Sequence, residues 1–62
     1  MELTVKQARL FSDKTQRQMA DLLGVHVDTY RKIERNSDEA TIKQAKEISQ
    51  ITGVDYDKIF FS

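Results

Sequence analysis

The sequence predicts an all-α domain built from five short helices. Three observations predict it. Apolar residues recur at three- and four-residue spacings along the 62-residue chain. No stretch alternates apolar and polar residues over a useful length, so no sheet is expected. There is no proline, and the two glycines, Gly24 and Gly53, fall where apolar-periodic segments stop. Glycine ends a helix readily because it takes the left-handed conformation without a Cβ penalty.

The first helix is expected over Leu3 to Phe11, entered at Leu3 or capped by Thr4. Val5 and Ala8, with Leu10 or Phe11, form its apolar face. Ser12, Asp13 and Lys14 make a polar break. Thr15 is a good N-cap, and Gln18 three residues on completes a capping box. The second helix then runs to Leu23, with Met19, Ala20, Leu22 and Leu23 as its apolar or small stripe. After a turn at Gly24 and Val25, the third starts near Val27 and ends near Arg35, with Tyr30 and Ile33 turned inward. Asn36 to Glu39 is the longest polar loop. Thr41 caps the fourth helix, whose face is Ile42, Ala45 and Ile48, continued by Ser49 or Thr52. Gly53 ends it. Asp55 caps a short last helix that points Tyr56, Ile59 and Phe60 inward. Residues 1–62 read as one domain, without linkers, repeats or low-complexity segments.

Composition narrows the function. A chain this short buries only about 60% of the surface it exposes when unfolded, so a partner or self-association is expected to supplement its stability. The absence of cysteine excludes disulfides and Cys-based zinc sites, and a single histidine argues against a transition-metal centre. No apolar run is long enough to span a bilayer and no secretion signal is apparent, so the expected location is the cytoplasm. The formal net charge is zero. Up to Arg35 the chain carries seven basic and five acidic residues, and from Asn36 onward three basic and five acidic. The basic excess thus lies in the first part, but it is small. Attraction to a polyanion would rest on a few placed contacts rather than on a strong field.

The run Thr15 to Ile33, TQRQMADLLGVHVDTYRKI, is the most informative segment. Two short helices are joined by about three residues with glycine first. Helices joined so tightly at a steep angle form a helix-turn-helix, which sets its second helix in the major groove of DNA.

The chain resembles the Cro and phage-repressor (lambda repressor-like) family of helix-turn-helix regulators. The resemblance rests on Gln16, Ala20 and Gly24 at four-residue intervals, followed by Val25, Tyr30 and Ile33. Arg9, seven residues before Gln16, and Glu34, directly after Ile33, match the family as well, and so does the closing ITGVDYDKIF. The family usually has Gly after the third helix and Pro before the fourth, where this chain has Asn36 and Ala40. Asn36 can still adopt the left-handed turn there. His26 stands where Ser is common, and Asp28 where a base-reading residue usually sits. The resemblance implies a compact five-helix fold, a double-stranded DNA operator as partner, and an ion pair between Arg9 and Glu34 that sets the angle of the third helix.

Candidate contact residues follow. Gln16, at the first turn of the second helix, can bridge a phosphate oxygen to the start of the third. Val27, Asp28, Arg31 and Lys32 are expected on the outward face. Lys32 and Arg31 can donate to guanine O6 or N7, and Val27 can meet a thymine methyl. Asp28 either accepts from cytosine N4 or complements the helix dipole. Thr29 is a phosphate donor, and Arg17, Lys14 and Lys43 are candidate cations along the backbone. His26 caps the third helix or touches a phosphate.

No catalytic constellation, metal site, cofactor motif or small-molecule ligand is expected. The expected function is a sequence-specific regulator of transcription, a small Cro-like repressor of phage or mobile-element type, controlled by its own concentration. It is expected to pair two-fold on a palindromic operator. The end of the chain, with Phe60, Phe61 and Ser62, is the candidate interface, unless Phe61 only caps the core. The alternative is a protein-interaction module of the same fold, antirepressor-like or antitoxin-like, with weak DNA binding.

Overall fold

The computed structural model describes residues 3–60. They form five α-helices: α1 (Val5–Phe11), α2 (Gln16–Leu23), α3 (Val27–Arg35), α4 (Ile42–Thr52) and α5 (Tyr56–Phe60), with a 3-10 turn at Ser37–Glu39 between α3 and α4. No strand occurs among the described residues. Phe61 and Ser62, two of the three candidate interface residues, lie outside them.

Local chemistry sets the starts of the helices. Three of them open on the same device, Thr at the N-cap and Gln three residues later. In Thr4/Gln7, Thr15/Gln18 and Thr41/Gln44 the Gln backbone N–H donates to the Thr hydroxyl, and the Thr N–H donates to the Gln side-chain oxygen, all at 2.8–3.1 Å. Each box satisfies donors that a helix start otherwise leaves open.

Left-handed residues set three of the stops. At the end of α2, Gly24 has φ +71°; its N–H reaches the Asp21 carbonyl at 3.2 Å, and the Val25 N–H reaches Ala20 at 3.0 Å. This is a Schellman closure. At the end of α4, Gly53 (φ +74°) makes the simpler single bond to the Ser49 carbonyl at 2.9 Å. The polar break after α1 is a second Schellman closure, with Asp13 in the glycine place at φ +58°. The Asp13 N–H meets the Leu10 carbonyl and the Lys14 N–H meets Arg9, at 3.1 and 3.3 Å.

The core is one cluster of Val5, Ala8, Met19, Ala20, Tyr30, Ile33, Ile48, Val54 and Ile59. Several expected faces are corrected. On α1 neither Leu10 nor Phe11 turns inward; Phe11 is 76% exposed. The buried stripe is Val5, Ala8 and Arg9, an i, i+3, i+4 set whose third member is a charged residue. Leu22 is exposed, and α2 packs through Met19, Ala20 and Leu23. Ile42, the first residue of α4, is 69% exposed, and the inward set is Ala45, Ile48 and Thr52. Val27 was expected on the outward face but is half-buried against the core, because it lies one turn before Tyr30 on the same side of α3. Asn36 is extended (φ −148°) rather than left-handed, and its side chain accepts from the Asp38 N–H at 3.1 Å to open the 3-10 turn. Ile59 is buried, whereas Tyr56 and Phe60 are half-buried and pack ring on ring, 5.4 Å between centroids. The Leu3 N–H closes the domain on the Lys58 carbonyl at 2.9 Å.

Candidate nucleic-acid interface

The arrangement of α2 and α3 rests on a buried carboxylate. Glu34, in the last turn of α3, accepts three hydrogen bonds from three helices. Arg9 Nε of α1 donates to Oε2 at 2.6 Å, the Tyr30 hydroxyl donates to the same oxygen at 2.7 Å, and Gln16 Nε2 of α2 donates to Oε1 at 3.0 Å. Arg9 also donates through Nη1 to the Lys14 carbonyl at 2.9 Å. The side chains of Arg9 and Glu34 are 9% and 6% exposed. Among the described residues no buried side-chain nitrogen or oxygen lacks a partner. A charge pair this dry is tolerable because both carboxylate oxygens are hydrogen-bonded and the guanidinium has a carboxylate and a carbonyl as partners.

The titration behaviour has the same origin. Burial pushes the Glu34 carboxyl upward, but the bonds from Arg9, Tyr30 and Gln16 and the Arg9 charge outweigh it and hold the group below its usual range. The hydrogen bond to Glu34 raises Arg9 against the opposing effect of burial. Burial first, and the bond to Glu34 second, raise the Tyr30 phenol far above its usual value.

Outside this hub, α3 presents its start. His26 is the N-cap, and its Nδ1 accepts from the Asp28 N–H at 3.2 Å. That contact needs the tautomer with the proton on Nε2. Asp28, Thr29, Arg31 and Lys32 are exposed. Arg31 is held on two sides: Nη1 donates to Asp28 Oδ1 at 2.9 Å, and Nε donates to Gln16 Oε1 at 3.2 Å. The Gln16 amide therefore joins the buried carboxylate at one end to an exposed guanidinium at the other.

Gln16, Arg17 and Arg31 are brought together with Lys14 around a shallow open groove of about 580 Å³ at the start of α2. Lys43, on α4, is exposed and lies outside the groove lining. Val27 presents only part of its surface. The family resemblance implies the Arg9–Glu34 pair but not the Tyr30 and Gln16 bonds to it. A tyrosine four residues before a glutamate on one helix was the available signal for the first of these, since i and i+4 side chains are neighbours.

The sequence model of the helix-turn-helix family matches residues 5–59, nearly the whole chain. The chain belongs to that family. It is of the Cro/C1 type, and its lambda-repressor-like fold is the five-helix arrangement described above. No curated protein and no solved structure matches it. The helix-turn-helix family is one of DNA-binding regulators, and the order α2, Gly24 turn, α3 is its motif. No helix among the described residues is long and apolar enough to cross a membrane.

Proposed function

We propose that this helix-turn-helix chain is a sequence-specific regulator of transcription, a small Cro-like repressor that lays α3 in the major groove of its operator. In this reading Lys32 and Arg31 donate to base edges. Gln16, Arg17, His26 and Thr29 hold the sugar-phosphate backbone around the motif, and Lys43 adds a more distant cation. Asp28 and the exposed part of Val27 complete the reading edge. The observation that carries the proposal is the Glu34 hub. It fixes α3 against α1 and α2 by its C-terminal turn, so the exposed side chains at its start are offered from a rigid base. Precise presentation of a short helix is what direct readout requires.

Two copies on a palindrome fit the size of the motif. The nine residues of α3 span about 13 Å, only a few base pairs, and the chain carries no net charge to add non-specific affinity. A bound dimer would act by occupying a promoter. The test is binding to promoter DNA of its own locus, with a random duplex as control, across a salt series. About six charged phosphate contacts over a dimer give a slope near −5 in log K against log salt. Preference for the locus DNA with such a slope supports the reading. Weak binding with no preference refutes it and leaves the protein-interaction module.

A further inference from the structure

We propose that Asp28 sets sequence specificity by carrying Arg31 into the groove as a fixed pair. The inference rests on the DNA-binding reading above and assigns a base preference within it. An exposed carboxylate–guanidinium pair one turn apart changes a folding equilibrium by only about a factor of two, so stability does not account for this contact. Its consequence appears against DNA. A carboxylate at the front of α3 is repelled by the phosphates on both sides. If Arg31 swung away to a phosphate, Asp28 would be left uncompensated in a water-poor groove. Keeping the pair together is the cheaper arrangement, and it denies Arg31 the contact that any sequence offers.

The geometry also restricts which edge of Arg31 can read. Two of its five N–H groups are engaged, Nε on Gln16 and one on Nη1 with Asp28. The three left are all on the terminal nitrogens, enough for two parallel donors to guanine O6 and N7. Gln16 is itself anchored to buried Glu34, so the guanidinium is braced from the protein interior. Asp28 Oδ2 lies 3.7 Å from His26 Nδ1, beyond hydrogen-bonding distance. It can accept an amino group, N4 of cytosine or N6 of adenine, and it repels thymine O4. The pair therefore reads a guanine beside an amino-bearing base and rejects thymine at the second position.

The experiment is selection from a duplex pool with a randomised core, by wild type and by Asp28→Asn, followed by titration of the selected and a random duplex. Wild type is expected to enrich a guanine next to cytosine or adenine. Asp28→Asn should bind the random duplex several-fold tighter, gain about one phosphate contact in its salt slope, and lose about tenfold in the ratio of selected to random affinity. In an Arg31→Ala background the same substitution should change that ratio less than twofold. If Asp28→Asn raises affinity for both duplexes by one factor, or if its effect persists without Arg31, the inference is overturned while DNA binding stands. A wild-type protein that enriches nothing overturns the DNA-binding reading and this inference with it.

Discussion

Replacing Glu34 by Ala removes the acceptor of three hydrogen bonds and leaves the Arg9 guanidinium, in a side chain 9% exposed, with only the Lys14 carbonyl. Taking one partner from a buried ion pair costs about 3–5 kcal/mol, because the other charge stays desolvated. Tyr30 loses its acceptor too, and an unsatisfied buried hydroxyl costs about 1–3 kcal/mol, although the two losses are not additive. A globular chain of 62 residues has a total stability of about 3–9 kcal/mol. The substitution thus removes a third or more of it, and a marginal wild type would be largely unfolded at 25 °C. Urea titration followed by circular dichroism measures this directly. A second variant separates the lost pair from lost packing: Arg9→Met with Glu34→Leu removes both charges and should recover at least half of the loss. Glu34→Ala within about 1 kcal/mol of wild type at an unchanged m-value, or a double variant less stable than Glu34→Ala, would refute the account of the hub. Where the single variant is still folded, its DNA affinity should also fall, since α3 has lost its anchor.

Acid should reach the same group. The folded Glu34 carboxyl lies below its ordinary value of 4.5, so its contribution is fully present above about pH 4.5 and is lost as pH falls through the lower folded value. Tm should be nearly flat from pH 7 to 5 and drop below that, and Glu34→Gln should flatten part of the drop. Gly24→Ala meets no atom within 4 Å, so its cost is backbone strain alone at φ +71°, about 1–2 kcal/mol by urea titration, with the helical spectrum unchanged. Asp13→Gly should do the reverse. It relieves a left-handed aspartate and removes a negative charge from the end of α1, raising stability by about 0.5–1 kcal/mol and Tm by a few degrees; a fall in Tm would mean that the Asp13 side chain is needed.

Features that depend on residues close in sequence were legible before any coordinates. The Thr15–Gln18 box, the glycine stops and the bounds of α2 and α3 are all local, and the structure reproduces them. The boxes at Thr4 and Thr41 obey the same Thr-x-x-Gln rule, so the missing Gln7 and Gln44 halves were readable as well. The faces were harder. A seven-residue helix carrying Val5, Ala8, Leu10 and Phe11 admits more than one apolar stripe. Hydrophobicity alone cannot reveal that the true one ends on Arg9, because burying arginine makes sense only with Glu34 already in place, 25 residues away. The Gln16 bonds are of the same kind. They join groups 15 and 18 residues apart and exist only once α2 is docked on α3. Asp13 escaped notice because its left-handed conformation follows from how α1 must stop before α2, and its side chain does not announce it. The exposure of Asp28, Arg31 and Lys32 along α3 was legible, but the half-burial of Val27 and the internal pairing of Arg31 were not.

That pairing bears on how a chain of zero net charge can work as a DNA regulator. Among the described residues the carboxylates Glu34, Asp28 and Asp55 lie in ion pairs with Arg9, Arg31 and Lys58, and Arg17, Lys32 and Lys43 take part in none of these pairs. A cation matched within the protein adds little to the counterion release that drives binding to any duplex, whereas an unmatched one adds its full share. Weak non-specific affinity is an advantage for a regulator facing the rest of a genome, because occupancy of the right site depends on the ratio of specific to non-specific binding and on the number of competing sites. In the proposed reading the specific term comes from a helix held at one angle, and Glu34 supplies that hold through groups that cannot separate without leaving a charge stranded in the core. One buried carboxylate thus links folding to recognition: conditions that release it, acid or mutation, should abolish discrimination between sequences no later than they melt the domain.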